Sequence, residues 1–204
     1  MKLYHTPRSR SVRPLWMLEE LKLDYALEIM PYKLGDIGGQ TYAQIHPLKK
    51  VPTLVDGDVI IHESTAILEY LGYVRGEGRF VVASGDPDYG RFLQWLHFGE
   101  AGMNIPINLL LAHTLLLPEA ERSERLAAWA GGEVTKLLDF LAYGLGDREH
   151  LLERGFSAAD ISVGYILYWV ERLKKLSGAP DNLQTYWRRL SDRPAWVTAI
   201  RAGA

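Results

Sequence analysis

Hydrophobic and polar positions divide the chain into a strand-bearing first part and a helical remainder. Lys2–His5 is a short β-rich run, residues 12–23 carry Leu15, Leu18 and Leu21 at helical spacing, and residues 25–30 alternate as a strand would. Strand, helix and strand in that order predict a βαβ unit with parallel pairing and a right-handed crossover. Pro14 falls in the first helical turn, where an N–H has no intrahelical partner and proline loses nothing. Residues 31–47 turn to Gly, Asp, Gln and Tyr, with the cluster Gly35-Asp36-Ile37-Gly38-Gly39, and read as a loop with room for one irregular helical turn. Residues 51–55 and Val59–His62 then bracket Asp56-Gly57-Asp58, a hairpin signal, because Asp-Gly tolerates the positive φ of tight turns. Helical spacing resumes at Ser64 with Ile67, Leu68 and Leu71, completing the order βαβ, loop, ββα.

Past Arg75 the pattern breaks into glycines, a proline and scattered charges, as expected of an inter-domain linker. Beyond it strand signals vanish, and residues 89–116, 118–144, 157–176 and 182–191 show helical periodicity. Trp95, Trp129, Trp169, Trp187 and Trp196 are expected to supply bulky core material there. The expected division is an α/β domain over 1–78, a linker over 79–86 and an all-helical domain over 87–204.

Composition narrows the chemistry. With 204 residues and 48% hydrophobic positions the chain can bury a full core, and a net charge of −2 without like-charge blocks offers no nucleic-acid footprint and no polybasic membrane patch. No apolar run approaches the roughly 20 residues of a membrane helix, and the N-terminal stretch lacks the apolar core of a signal peptide. A soluble, cytoplasmic protein is expected. The six histidines share no ligand spacing and no HExxH occurs, so no metal is implied. Cysteine is absent, which excludes disulfides, thiolate zinc sites and a cysteine nucleophile. Any thiol chemistry must use another molecule's sulfur.

Four stretches carry candidate chemistry. Ser9-Arg10-Ser11-Val12-Arg13 runs into the first helix; one hydroxyl is expected to cap that helix and the other to donate to an anion, while Arg13 suits either a ligand or a structural acid such as Glu69 or Asp160. Val51-Pro52-Thr53 opens the hairpin, where a trans proline at the start of a strand is the ordinary reading. Glu63-Ser64 precedes the third helix: Ser64 could cap it, and the pair could instead hold an amino-acid head group at both its charges. Phe156-Ser157-Ala158-Ala159-Asp160-Ile161 has the form of a capping box with a hydrophobic staple and reads as structural.

The order and spacing of LYHTPRSRSVRPLWMLEELKLDY, HPLKKVPTLVDGD, ESTAILEYL and FSAADISVGY resemble the cytosolic glutathione transferase family across essentially the whole chain. The resemblance implies a thioredoxin-like N-terminal domain with a cis-proline at Pro52, an all-α C-terminal domain, and a homodimer. It is nearest to serine-type, theta-like bacterial and fungal members with the pattern Ser-Arg-x-x-Arg-x-x-Trp, matched by Ser9, Arg10, Arg13 and Trp16. By that carry-over Ser9 stabilises the glutathione thiolate, with Ser11 as the rival position. Lys50 and the main chain of Val51 beside Pro52 hold the tripeptide backbone, and Glu63 with Ser64 its γ-glutamyl end. A small electrophile would sit in an apolar cleft between the domains, with Tyr4, Phe98, Asn104 and Tyr165 as wall candidates. Two positions depart from the family pattern: His46 stands where Asn is common and Lys49 where Gly is common. The alternative is a non-catalytic ligand carrier or protein-interaction module of the same fold, which has no physical reason to keep Ser9, Pro52, Glu63 and Ser64 together.

Overall fold

A computed structural model describes residues 1–31 and 37–203 and divides the chain into two compact units, Met1–Ala83 with Asp192–Ala204, and Ser84–Ser191. The expected Gly35-Asp36 part of the first loop lies outside the described residues.

In the first unit four strands, β1 (Lys2–His5), β2 (Ala26–Ile29), β3 (Thr53–Asp56) and β4 (Val59–His62), form one sheet in the order β2-β1-β3-β4. β1 and β2 are parallel and the other two pairings antiparallel. The hairpin turn uses Gly57 at φ +60°, a conformation open to a residue without Cβ. Helices α1 (Val12–Leu21), α2 (Gly39–Ala43) and α3 (Ser64–Tyr70) complete the βαβ and ββα halves, and α3 continues as a π-helical turn over Leu71–Arg75. Alternation puts Leu3 and His5 on the buried face of β1, and Val12 to Leu18 are buried throughout α1.

A helix with so wide an apolar surface needs cover on more than one side. α3 packs on α1, and so does the last helix, which we label α9 (Pro194–Arg201). The Trp16 and Trp196 ring centroids lie 4.9 Å apart, and Arg193 grips Glu20 with both fork nitrogens, at 2.6 and 2.8 Å. The expected all-helical domain over 87–204 therefore loses its last segment: residues from Asp192 on group with the sheet, because Trp196 covers α1.

The second unit contains α4 (Tyr89–His97), α5 (Asn104–Leu111), α6 (Glu124–Leu145), α7 (Ala158–Arg172) and α8 (Asp181–Ser191). The expected continuous helix over 89–116 is broken by π-helical turns at Phe98–Gly102 and Ala112–Leu116. The first break coincides with a close crossing of α7: a Cβ on Gly99 would lie 2.6 Å from the Ser162 carbonyl carbon, while Ser162 Oγ donates to the Leu96 carbonyl at 2.7 Å. α7 is buried from Ala158 to Leu167 and forms the centre of this unit. Its N-terminus carries the expected capping box: Asp160 accepts from the Ser157 N–H (2.8 Å) and Ser157 Oγ from the Ala159 N–H (3.3 Å). Asp160 also accepts from the Leu151 N–H and the Tyr186 hydroxyl, so the box is a hub joining a loop and α8. Trp95, Trp187 and, in the first unit, Trp196 are core residues as expected, but Trp129 is 52% exposed on α6.

Candidate active site

Sheet topology brings the predicted residues together. Tyr4 pairs with Thr53, and Thr53 with His62, so the C-terminal end of β1, the start of β3 and the end of β4 meet at one edge. The segments extending from that edge are the turn Thr6 to Ser11, the approach Lys50-Val51-Pro52, and the junction Glu63-Ser64. The Val51-Pro52 peptide is cis, in place of the trans bond that the local pattern alone favours.

Ser9 and Ser11 differ sharply in setting. Ser9 is half-buried, whereas Ser11 is fully buried. Ser9 Oγ donates to the Thr6 carbonyl at 2.8 Å and lies 2.6 Å from Ser11 Oγ. Ser11 Oγ accepts from the Thr6 N–H at 3.1 Å and stands 2.8 Å from His5 Nδ1. Ser11 occupies the position before α1 yet makes no capping bond there: its hydroxyl is drawn to His5 and Thr6, while Ser9 Oγ accepts from the Ser11 N–H at 3.2 Å.

The Glu63-Ser64 junction departs from expectation in the same way. Glu63 is exposed at φ +67°, ψ +116°, a conformation rarely adopted by a residue with a side chain. Ser64 is the first helical residue and makes no cap; its Oγ accepts from Nη1 of Arg13 at 3.1 Å. Arg13 is fully buried, and its contact with Ser64 places a buried cation at the Glu63-Ser64 junction. Asp160, one of the two acids considered for it, is engaged in the second unit by Ser157, Leu151 and Tyr186.

Under the Lys50-Val51-Pro52 approach lies a polar network. Tyr42 donates its hydroxyl to the Lys50 carbonyl at 2.8 Å and shares a 2.8 Å contact with Thr53 Oγ1, which lies 3.2 Å from His62 Nδ1. Burial pushes the Tyr42 hydroxyl up to about 12, keeping it a donor. The His46 and His62 rings stack with centroids 4.2 Å apart, and burial, then His62, lower the pKa of His46. Lys49, at a position where the family favours Gly, has φ +50°, the left-handed conformation that explains that preference. Lys50 is exposed and Pro52 buried.

His5, Thr6, Tyr42, Thr53 and His62 were not singled out from sequence. For His5 the signal was present in β1, where alternation places it on the same face as Leu3. Of the wall candidates, Tyr4 packs its ring 5.2 Å from that of Tyr42 in the first unit. In the second, Phe98 packs on Trp95 and Phe140, Asn104 donates to Glu100, and Tyr165 is buried in α7.

A thioredoxin-like sheet with a cis-proline beside two hydroxyls and an acid-serine junction can be compared with known proteins. Residues 1–72 match the family described as glutathione S-transferase, N-terminal domain. Glutathione S-transferase 3 of Schizosaccharomyces pombe is 29% identical over 206 residues, which cover 95% of this chain and 84% of that protein. The crystal structure of a glutathione transferase from Methylococcus capsulatus is 30% identical with a TM-score of 0.83, over 98% of this chain and 97% of that one. A sphingomonad glutathione S-transferase complexed with glutathione is 26% identical with a TM-score of 0.85, over 99% and 98% of the two chains. This chain belongs to the cytosolic glutathione S-transferase family.

Proposed function

We propose that this glutathione transferase is of the serine type and theta-like, with Ser9 as the hydroxyl that stabilises the thiolate of bound glutathione for attack on a small apolar electrophile. The observation that carries the choice is exposure: Ser9 is half-buried, whereas Ser11 is fully buried with its Oγ among His5, Thr6 and Ser9. The α1 N-terminus adds a modest positive partial charge.

Glu63 takes the ammonium of the γ-glutamyl end and Ser64 its carboxylate. Arg13 supports that polarity, because its buried guanidinium sits 3.1 Å from Ser64 Oγ and draws an anion there. Lys50 and the Val51 main chain, ahead of the β3 ladder that starts at Thr53, pair with the peptide backbone beside Pro52. A homodimer is part of the same reading, favoured by apolar side chains left exposed on the edge strand β4 (Val59, Ile60) and on α6 (Phe140, Tyr143).

The deciding experiment is glutathione-dependent turnover of an aryl halide, an epoxide and a hydroperoxide, alongside retention on immobilised glutathione. Conjugation of at least one electrophile is expected. Retention without turnover of any would favour a ligand carrier, and failure to be retained an interaction module.

A further inference from the structure

His5 is fully buried in the first unit and has no part in the reading above. Its Nε2 lies 3.3 Å from the Ala202 carbonyl, and its Nδ1 lies 2.8 Å from Ser11 Oγ, which is 2.6 Å from Ser9 Oγ. These contacts form one chain from the C-terminal segment, through a buried ring and two hydroxyls, to the position proposed to meet the thiol. Counting protons along it gives a definite direction. A carbonyl only accepts, so Nε2 carries a hydrogen. In the neutral ring Nδ1 is then an acceptor and takes the Ser11 proton. With its own proton directed to Nδ1, Ser11 Oγ accepts from the Thr6 N–H and takes the single Ser9 proton across their 2.6 Å contact in place of the Thr6 carbonyl at 2.8 Å, and Ser9 Oγ accepts from the Ser11 N–H, leaving one lone pair for a ligand. In this state Ser9 accepts from a thiol and cannot donate to a thiolate without breaking the chain.

We propose that His5 is a positioning residue for Ser9: acting through Ser11, it sets which way the Ser9 hydroxyl points and takes up at Nδ1 the proton displaced when bound glutathione ionises. The proposal rests on the assignment of Ser9. The step balances. The thiol S–H bond breaks with its electron pair remaining on sulfur; that proton passes to Ser9 Oγ, the Ser9 proton to Ser11 Oγ, and the Ser11 proton to His5 Nδ1. A neutral imidazole becomes an imidazolium as a neutral thiol becomes a thiolate, so the net charge of the site is unchanged. Afterwards Ser9 donates to sulfur, Ser11 to Ser9, Nδ1 to Ser11, and Nε2 still to the Ala202 carbonyl. Every polar atom of the chain is satisfied in both states.

Burial lowers the basicity of the ring, opposed by the Ala202 and Ser11 contacts. The charged side chains on its own and the surrounding elements are Lys2 on β1, Arg8 and Arg10 in the turn, Arg13, Glu19 and Glu20 on α1, Glu28 on β2, Asp56 on β3 and Arg201 on α9, and none of them is among the influences on it. The ring is therefore neutral and able to accept before the thiol ionises, and the nearby thiolate is what stabilises its charged form.

Nitrogen-15 NMR of the histidine rings in the whole protein tests this near neutral pH, with glutathione and with S-methylglutathione, which lacks the thiol proton. Expected are a neutral, Nε2-protonated His5 with the methylated ligand and a doubly protonated ring with glutathione. A ring that is neutral with both ligands, or protonated at Nδ1 alone, overturns the proposal. His5→Gln, which keeps polar atoms but cannot gain a proton, is expected to raise the pKa of the bound thiol by about one unit, roughly tenfold less thiolate, with little change in KM for glutathione. If Ser9→Ala raises that pKa and His5→Gln does not, the relay fails and Ser9 stands. If Ser9→Ala leaves it unchanged, the assignment of Ser9 itself fails.

Discussion

Replacing Ser9 by Ala tests the proposed thiolate donor, and its magnitude follows from what the hydroxyl does now. A free thiol with a pKa near 8.5 is about 3% ionised at pH 7. A hydrogen bond to a charged acceptor contributes about 1.5–3 kcal/mol. Here the hydroxyl already donates within the turn, to the Thr6 carbonyl at 2.8 Å or toward Ser11 Oγ at 2.6 Å, and turning to a thiolate forfeits that bond, worth about 1 kcal/mol. The net preference for thiolate is thus about 0.5–2 kcal/mol, and its loss raises the pKa of the bound thiol by about 0.4–1.5 units. Turnover at pH 7 should fall between about twofold and fifteenfold, with KM for glutathione changed little, because the tripeptide is held elsewhere. The assay is the thiolate absorbance of the complex as a function of pH, paired with steady-state rates on an aryl halide. Ser11→Ala is the control: it strips a partner from the buried Thr6 N–H and from His5 Nδ1, so it should cost about 1–3 kcal/mol of stability. An unchanged thiol pKa and near-normal turnover in Ser9→Ala, with Ser11→Ala stable and inactive, would refute the assignment.

Three further outcomes concern the scaffold. Asp160→Ala removes the acceptor of the Leu151 and Ser157 N–H groups and of the Tyr186 hydroxyl, all buried, and should cost about 3 kcal/mol or more in urea unfolding; an effect below 1 kcal/mol would contradict its role as a hub. Gly99→Ala places a Cβ 2.6 Å from the Ser162 carbonyl carbon, a backbone atom that cannot turn aside, and should destabilise by about 1–3 kcal/mol or more; a melting temperature within a degree of the parent would show that the crossing has slack. Arg75 holds Asp56 through Nε and Nη2, at 2.5 and 2.6 Å, and this hydrogen bonding lowers the Asp56 pKa from its usual value near 3.8. A carboxylate with a depressed folded pKa contributes stability that is complete above its unfolded pKa and is lost as pH falls through the folded one. Arg75→Gln should therefore bring acid unfolding, followed by circular dichroism, to higher pH; coincident acid curves would refute the coupling.

How much of the site could be read beforehand depends on where each residue's partners lie. The capping box was legible because Ser157 and Asp160 are three positions apart and bond each other's neighbourhood. Ser11 and Ser64, each a candidate for a cap, make none for the opposite reason. Each hydroxyl had a local option, and each was taken by a partner from elsewhere in the chain: His5 on β1 for Ser11, and Arg13, 51 residues earlier, for Ser64. Trp129 failed as a core residue because helical periodicity gives a face but not what covers it.

Alternation, helical spacing and the Asp-Gly turn sufficed for the order βαβ, ββα and helices, since those signals act between neighbours a few positions apart. The lack of cysteine likewise confined any thiol chemistry to a ligand's sulfur. Three things needed the folded chain: the return of Pro194–Arg201 to α1, the break at Gly99 against α7, and the different burial of Ser9 and Ser11. Each turns on burial or close approach between segments distant in sequence. In the first unit the sheet brings β1, β3 and β4 to a common edge and Trp196 covers Trp16, and in the second α7 crosses the chain at Gly99.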